Sequence, residues 1–162
     1  MNKLITLACL SVAVTACTDK NGASVTAPVA APNASVAYLT LSNSQPAKGS
    51  VITVTVHAIV GEGAEALGSF TARLQLGAGL EYVEETPVTD GMHALRVSAD
   101  TIIVAGASSS GYSDSRLFAV KARVLDPALL SSVALSFSEA NSVHFANQSR
   151  SLKIDHGVFV AK

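Results

Sequence analysis

The sequence has few charged residues, few aromatic residues and no excess of basic residues. Of its 162 residues, 14% are charged, and 11 Lys and Arg stand against 12 Asp and Glu, which gives a formal net charge of −1. A chain without a positive surplus lacks the charge needed to release counterions from phosphates, so we expect no nucleic-acid partner. Tryptophan is absent and tyrosine occurs three times, which argues against a flat sugar-binding surface of stacked aromatic rings.

Cysteine is also scarce, and Cys9 and Cys17 both lie close to the first residue. Lys3 supplies a positive start, residues 4–14 are largely apolar, and two small residues then precede Cys17. This order is the layout of a secretory signal, and the apolar run is shorter than the roughly 20 residues that span a bilayer. We therefore predict a signal peptide over residues 1–16. An ordinary signal with a chance cysteine and a short transmembrane helix are the alternatives.

The last residues of this segment, Val14-Thr15-Ala16-Cys17, resemble the lipobox of bacterial lipoproteins. The resemblance implies cleavage before Cys17 and a diacylglyceryl group on its sulfur, often with a third acyl chain. Each buried methylene contributes about 0.8 kcal/mol, so two or more chains anchor a protein stably. Thr18 follows in place of the Asp that usually retains lipoproteins in the inner membrane. We expect a lipid-anchored, extracytoplasmic protein, on the outer membrane if the cell has one.

Two further segments follow the predicted signal. Residues 17–34 begin with the lipidated cysteine and continue as small, polar and proline-bearing sequence, which predicts a flexible linker. Residues 35–162 are long enough for one domain with its own core. Since Cys9 is lost with the signal, this domain has no disulfide and no thiolate for a metal.

Apolar residues of the predicted domain recur with a period of two. Strand-like alternation covers residues 36–41, 51–59, 70–76, 80–83, 93–97, 101–105, 118–124, 133–137 and 152–160. One helical turn is expected at residues 126–130, with Pro127 in its first position. No helical period extends over a dozen residues. Short strands with turns at roughly ten-residue spacing predict an all-β, antiparallel sandwich or barrel of about 8–10 strands.

The order of these features resembles the cohesin domain, an Ig-like jelly-roll β-sandwich. The resemblance rests on the alternating segment at 48–56, the segments at 67–76 and 80–83, the central segment at 101–105 before a Ser/Gly loop, the segment at 116–124 that follows this loop, and the closing segment at 154–160. It implies a fold related to some carbohydrate-binding modules. It also implies a dockerin-like protein partner within polysaccharide-degrading assemblies. No dockerin-contact residue can be carried over to this sequence.

A serine- and glycine-rich loop is the candidate ligand-binding site. It contains Ser109, Ser110, Gly111 and Tyr112, and we expect Tyr112 to offer an aromatic face flanked by small polar groups. Loops at the ends of sandwiches often carry binding residues. The loop lacks the GxSxG pattern and the following helix of a hydrolase nucleophile, so a plain flexible connection is the alternative.

No motif predicts a metal site, a cofactor or a catalytic residue. The histidines lie on separate segments without HxH or HExxH spacing, at His57, His93, His144 and His156. Glu84, Glu85 and Asp90 lack the pattern of a calcium loop. The sequence therefore predicts no metal and no cofactor.

The sequence favours a non-catalytic binding or scaffold module that contacts a protein or a polysaccharide through a sheet face or loops. One alternative is a cell-envelope hydrolase, which needs two of Asp90, Asp100, Asp114 and Glu139 in one pocket. The other is an envelope structural or assembly lipoprotein that adds a partner strand to an exposed sheet edge.

Overall fold

Nine strands and one 3-10 helix form the part of the chain that the computed structural model describes. That part comprises residues 35–87, 91–112 and 116–160, without the side chains of residues 156–160. The strands are β1 (Ser35–Leu41), β2 (Val51–Ile59), β3 (Leu67–Gln75), β4 (Leu80–Thr86), β5 (Met92–Ser98), β6 (Thr101–Ala107), β7 (Arg116–Val124), β8 (Ala134–Ser142) and β9 (Leu152–Val160). The predicted signal and linker, residues 1–34 with Cys17, lie outside the described residues.

The strands form two sheets. The five-stranded sheet has the order β4-β7-β2-β1-β9, and the four-stranded sheet has the order β5-β6-β3-β8. All pairs are antiparallel except β1 with β9, which run parallel. The predicted all-β sandwich is therefore confirmed, and the parallel pair is the one departure from a purely antiparallel arrangement.

The core lies between the two sheets, where their alternating apolar rows meet. Val54 and Val56 of β2 and Val120 of β7 are fully buried, as their spacing predicts. Phe70 of the four-stranded sheet stacks on Phe118 of the five-stranded sheet, with ring centroids 6.1 Å apart. This contact joins the two sheets face to face, the packing expected of a sandwich.

Two β-bulges interrupt the pairing of β3 with β8 in the four-stranded sheet. Register shifts in the β3–β8 pair leave Gly68 of β3 and Ser138 of β8 as extra residues. A Cβ on Gly68 would lie 2.7 Å from the Cα of Val143, so only glycine allows the two chains to approach here. The extra residue at Ser138 shifts the alternation of β8, so its inward-facing residues Phe137 and Ala140 are three positions apart instead of two. The strand continues to Ser142, beyond the predicted end at residue 137.

The predicted helical turn is a 3-10 helix at Pro127–Ser132. The Asp126 carboxylate accepts a hydrogen bond from the amide of Ala128 at 3.0 Å, and Pro127 stands near the helix start, as expected. None of the helices in the described part of the chain has the length and apolar character needed to cross a bilayer.

Candidate functional site

The outer face of the four-stranded sheet is built from small side chains. Antiparallel register places Ser69, Thr71, Arg73 and Gln75 of β3 on the face that also carries alternate residues of β5, β6 and β8. Four rows cross the sheet from β5 to β8: Met92-Ala107-Ser69-Asn141, Ala94-Ala105-Thr71-Glu139, Arg96-Ile103-Arg73-Ser136 and Ser98-Thr101-Gln75-Ala134. Because most of these side chains are short, the face offers its backbone and its few larger groups to an incoming surface.

A shallow depression lies on this face, beside the bulge of β8. Its volume is about 380 Å³, and Thr71, Arg73, Ile103, Ser136 and Ser138 contribute to its lining. Ile103 of the central strand β6 is half-buried and supplies an apolar surface there. The depression can therefore receive an apolar side chain from a partner.

Two guanidinium groups of this face have no acidic partner. Arg73 and Arg96 are both exposed, and neither forms an ion pair within the described residues. They flank Ile103 in a single row across β5, β6 and β3. An unpaired arginine next to an apolar group suits a protein contact, because arginine combines an apolar stem with a fork of donors.

The outer face of the five-stranded sheet has a different composition. Lys121 of β7 pairs with Glu84 of β4 at 2.6 Å, and Arg123 lies 4.0 Å from Glu81. These cations and carboxylates satisfy one another, so this face has less charge left for a partner than the four-stranded face.

The sheet edges also differ in how they are protected. The β4 edge carries Glu81, Glu84 and Glu85, and charge of this kind discourages strand addition. The amide of Gln148 donates to the carbonyl of Ala140, which pairs part of the β8 edge with the chain's own loop. The β5 edge, whose sequence is MHALRVS, carries a single charged residue, Arg96. Of these three edges, β5 therefore best serves the strand addition that the assembly alternative requires.

A cleft of about 480 Å³ closes one end of the four-stranded face. Its floor includes Ser69, Met92 and Ala107, which form the row at that end of the sheet. The loop after β6 makes one wall through residues 108–110, and the turn after β8 makes the other through Val143 and Phe145. Gly68, Gly91 and Ser142 complete the lining. Among the described residues, no charged side chain lines it.

The predicted loop residues take different positions around this cleft. Ser109 and Ser110 line it, and Gly111 has a φ of 80°, a conformation that glycine adopts without strain. Tyr112 points the other way. It is 8% exposed and its ring packs against Phe70 at 5.3 Å. The aromatic face expected at Tyr112 is thus in the core, because this side chain fills space over Gly106, whose missing Cβ would lie 2.5 Å from the Tyr112 hydroxyl.

The exposed aromatic ring at the cleft belongs instead to Phe145, which the sequence analysis did not single out. Its side chain is 88% exposed and its φ is 65°. A left-handed backbone conformation costs a non-glycine residue roughly 1–2 kcal/mol. Other interactions in the turn must therefore stabilise this conformation of Phe145. The available signal was its position: Phe145 stands outside every period-two row, next to polar turn residues.

Hydrogen bonds hold the turn that presents Phe145. Ser142 is 2% exposed, and its hydroxyl accepts from the amides of His144 at 3.2 Å and Ala146 at 3.1 Å. The neighbouring Ser142 hydroxyl, followed by the charge of His144, keeps the pKa of Glu65 below its ordinary value of 4.5.

The other candidate residues do not come together. His57 stacks on Tyr38 at 4.8 Å, His93 packs on Phe70 at 6.0 Å, and His144 lies 3.3 Å from Glu65. Over residues 35–87, 91–112 and 116–160, no group of three or more His, Cys, Asp or Glu is placed to hold a metal.

The carboxylates proposed for a hydrolase are also separated where they are described. Asp100 lies in the β5–β6 turn, and Glu139 lies on the outer face of β8, two strands away. The side chains of His156, Asp90 and Asp114 lie outside the described residues. Of the four carboxylates that the hydrolase alternative names, the two that the structure describes, Asp100 and Glu139, do not form a pair.

Solved structures with a similar fold are cohesin modules. A non-cellulosomal cohesin from the archaeon Archaeoglobus fulgidus matches 78% of this chain and 91% of its own, at 21% identity and a TM-score of 0.54. The cohesin module of a Clostridium perfringens family 33 glycoside hydrolase matches 76% of this chain and 99% of its own, at 14% identity and a TM-score of 0.56. The sixth cohesin of Acetivibrio cellulolyticus scaffoldin B, solved with a Cel5 dockerin mutant, matches 77% and 99%, at 16% identity and 0.54.

At these identities, the structural similarity shows a similar fold and nothing further. No protein-family model matches the sequence, and no curated protein matches it either. The cohesin-type sandwich expected from the order of strands and turns is therefore confirmed by comparison of structures and not by comparison of sequences.

Proposed function

We propose that this chain is a non-catalytic binding module that holds a protein partner on the outer face of its four-stranded sheet. The observation that carries the proposal is the row Arg96-Ile103-Arg73, two unpaired guanidinium groups on either side of an apolar side chain. Interfaces draw most of their affinity from a few such central groups. The shallow depression beside Ile103 gives a partner side chain a place to be buried.

The partner that fits best is a dockerin-like module with an acidic and apolar contact surface. Support comes from the fold, since a similar cohesin was solved in complex with a dockerin. It also comes from charge, because Arg73 and Arg96 favour carboxylates across the interface. Small residues elsewhere on the face leave room for a helix or a loop of the partner.

Isothermal titration calorimetry of the full chain against dockerin modules encoded in the same genome tests this proposal. We expect at least one to bind, and Arg73→Glu to weaken that binding about tenfold or more, which corresponds to about 1.4 kcal/mol. Lys48→Glu is the matched charge reversal, since Lys48 is also exposed but lies in the β1–β2 turn. Equal affinities for the two variants would remove the four-stranded face as the binding surface.

A second pair of variants separates the apolar contact from the charged one. Ile103→Asp places a carboxylate in the depression, and we expect it to abolish binding. Thr55→Asp is the control, because Thr55 is also half-buried but belongs to β2 of the other sheet. Circular dichroism of both variants checks that they keep the β-sheet spectrum.

The proposal places this module outside the cytoplasm on a lipid anchor at Cys17. Its support is the N-terminal sequence, with a positive residue, a short apolar run and the lipobox-like Val14-Thr15-Ala16-Cys17. Mass spectrometry of the protein made in a bacterium should find a mature N-terminus at Cys17 carrying acyl chains. Cys17→Ser should lose them, and an unacylated wild-type terminus would contradict the anchor.

A further inference from the structure

We infer that the cleft at the end of the four-stranded sheet binds an uncharged saccharide, in which Phe145 stacks on the apolar face of a sugar ring. This site goes beyond the proposed protein-binding surface, although Ser69, Ala107 and Met92 border both. The cleft volume of about 480 Å³ falls in the range typical of small-molecule sites.

The conformation of Phe145 is the first argument. An aromatic ring that is 88% exposed contributes little to the core, yet its backbone occupies the left-handed region at φ 65°. Backbone strain of this kind persists only where surrounding bonds over-determine it, and it often accompanies a binding role. The turn is fixed by the Ser142 hydroxyl and by the amide of Val143, which donates to the carbonyl of Ala66 at 3.0 Å. The ring is thus presented at the mouth of the cleft.

The opposite wall supplies hydroxyl groups on an equally fixed backbone. Ser108 donates from its amide to the carbonyl of Gly68 at 2.8 Å and from its hydroxyl to the carbonyl of Gly111 at 2.9 Å. Ser109 and Ser110 follow it along the lining. Serine hydroxyls both donate and accept, which is what the hydroxyl groups of a sugar require.

The chemistry of the lining separates a saccharide from other ligands. None of the described lining residues is charged, which disfavours ions and phosphorylated molecules. A purely apolar ligand would cover the serine hydroxyls without offering them a hydrogen bond, which lowers affinity. A pyranose ring has an apolar face for Phe145 and Met92 and a rim of hydroxyl groups for the serines.

Nuclear magnetic resonance titration of the isotope-labelled full chain tests the inference. The probes are neutral oligosaccharides: cellotriose, xylotriose, mannotriose and chitotriose. We expect at least one to shift amide signals of residues 68–69, 91–92, 107–111 and 142–146, with a dissociation constant of about 1 mM or tighter. Phe145→Ala should weaken that binding about tenfold. Leu129→Ala should leave it unchanged, because Leu129 is an exposed apolar residue on the 3-10 helix.

The outcomes separate this inference from the proposed function. Absence of shifts with all four sugars, shifts outside the cleft, or equal affinity of Phe145→Ala and the wild type would overturn it. So would shifts produced by an apolar probe such as indole and by no sugar, which would mark a pocket for a partner side chain. Dockerin binding that survives Phe145→Ala shows that the sheet face works without the cleft, so either idea can fail while the other stands.

Discussion

Replacement of Ser142 by alanine should loosen the turn that presents Phe145 while leaving the core intact. The Ser142 hydroxyl is the common partner of two groups: it accepts from the amides of His144 and Ala146. Ser142→Ala removes both bonds and adds no bulk. The two amides then depend on water alone.

The expected cost follows from the exposure of those partners. A typical hydrogen bond contributes about 1 kcal/mol net to stability, which gives an upper figure of about 2 kcal/mol for two. Residues 144 and 146 are exposed, so water can reach their amides after the change. We therefore expect a loss of about 1 kcal/mol in the free energy of unfolding.

Urea unfolding monitored by circular dichroism measures this loss, and Ser138→Ala is the control. Ser138 lies on the same strand but is exposed, with one hydroxyl bond to the carbonyl of Thr71 at 3.3 Å, so its replacement should cost less than about 0.5 kcal/mol. Amide exchange should accelerate at residues 143–147 and remain slow in β3 and β6. If Ser142→Ala is no less stable than Ser138→Ala, the hydroxyl does not hold the turn and the argument from Phe145 fails with it.

Three further changes test the packing and the electrostatics. Gly68→Ala should destabilise the protein by about 1–3 kcal/mol in urea unfolding, because its Cβ would lie 2.7 Å from the Cα of Val143. This Cα is a backbone atom, which no side-chain rotation can move out of the way. Gly106→Ala should cost a similar amount, since its Cβ would lie 2.5 Å from the ring of Phe70; a neutral result for either glycine would contradict the close approach. Since folding lowers the pKa of Glu65, its ionised carboxylate stabilises the turn above pH 4.5, and this stabilisation is lost as the pH falls through the folded-state pKa. Turn amide signals should titrate below pH 4.5 in the wild type and not in Glu65→Gln.

The local sequence was sufficient to predict the strands and the face that each strand buries. The alternation through β2 and β7 identified Val54, Val56 and Val120 as core residues, and all three are fully buried. The helical turn at Pro127 could also be predicted, because the groups that cap a helix lie within about four residues of one another in the sequence. The end of β8 was missed, since the bulge at Ser138 breaks the period on which the prediction relied.

The site was only partly predictable, and Tyr112 shows why. In the sequence it stands in a serine- and glycine-rich loop, where an aromatic residue suggests a binding surface. In the structure it enters the core over Gly106, a residue of the neighbouring strand whose missing side chain creates the space. Phe145, far along the chain, takes the exposed position at the cleft.

The sequence by itself determined the all-β character, the inward face of each regular strand, the turns, and the lack of charge for a nucleic-acid partner. Tertiary structure alone decided that β1 pairs in parallel with β9, that Arg73 and Arg96 flank Ile103, and that the serine loop faces Phe145. The physical reason is the range of the interactions. Periodicity and turn chemistry act between near neighbours in the chain, whereas sheet order depends on how distant strands bury their apolar faces together.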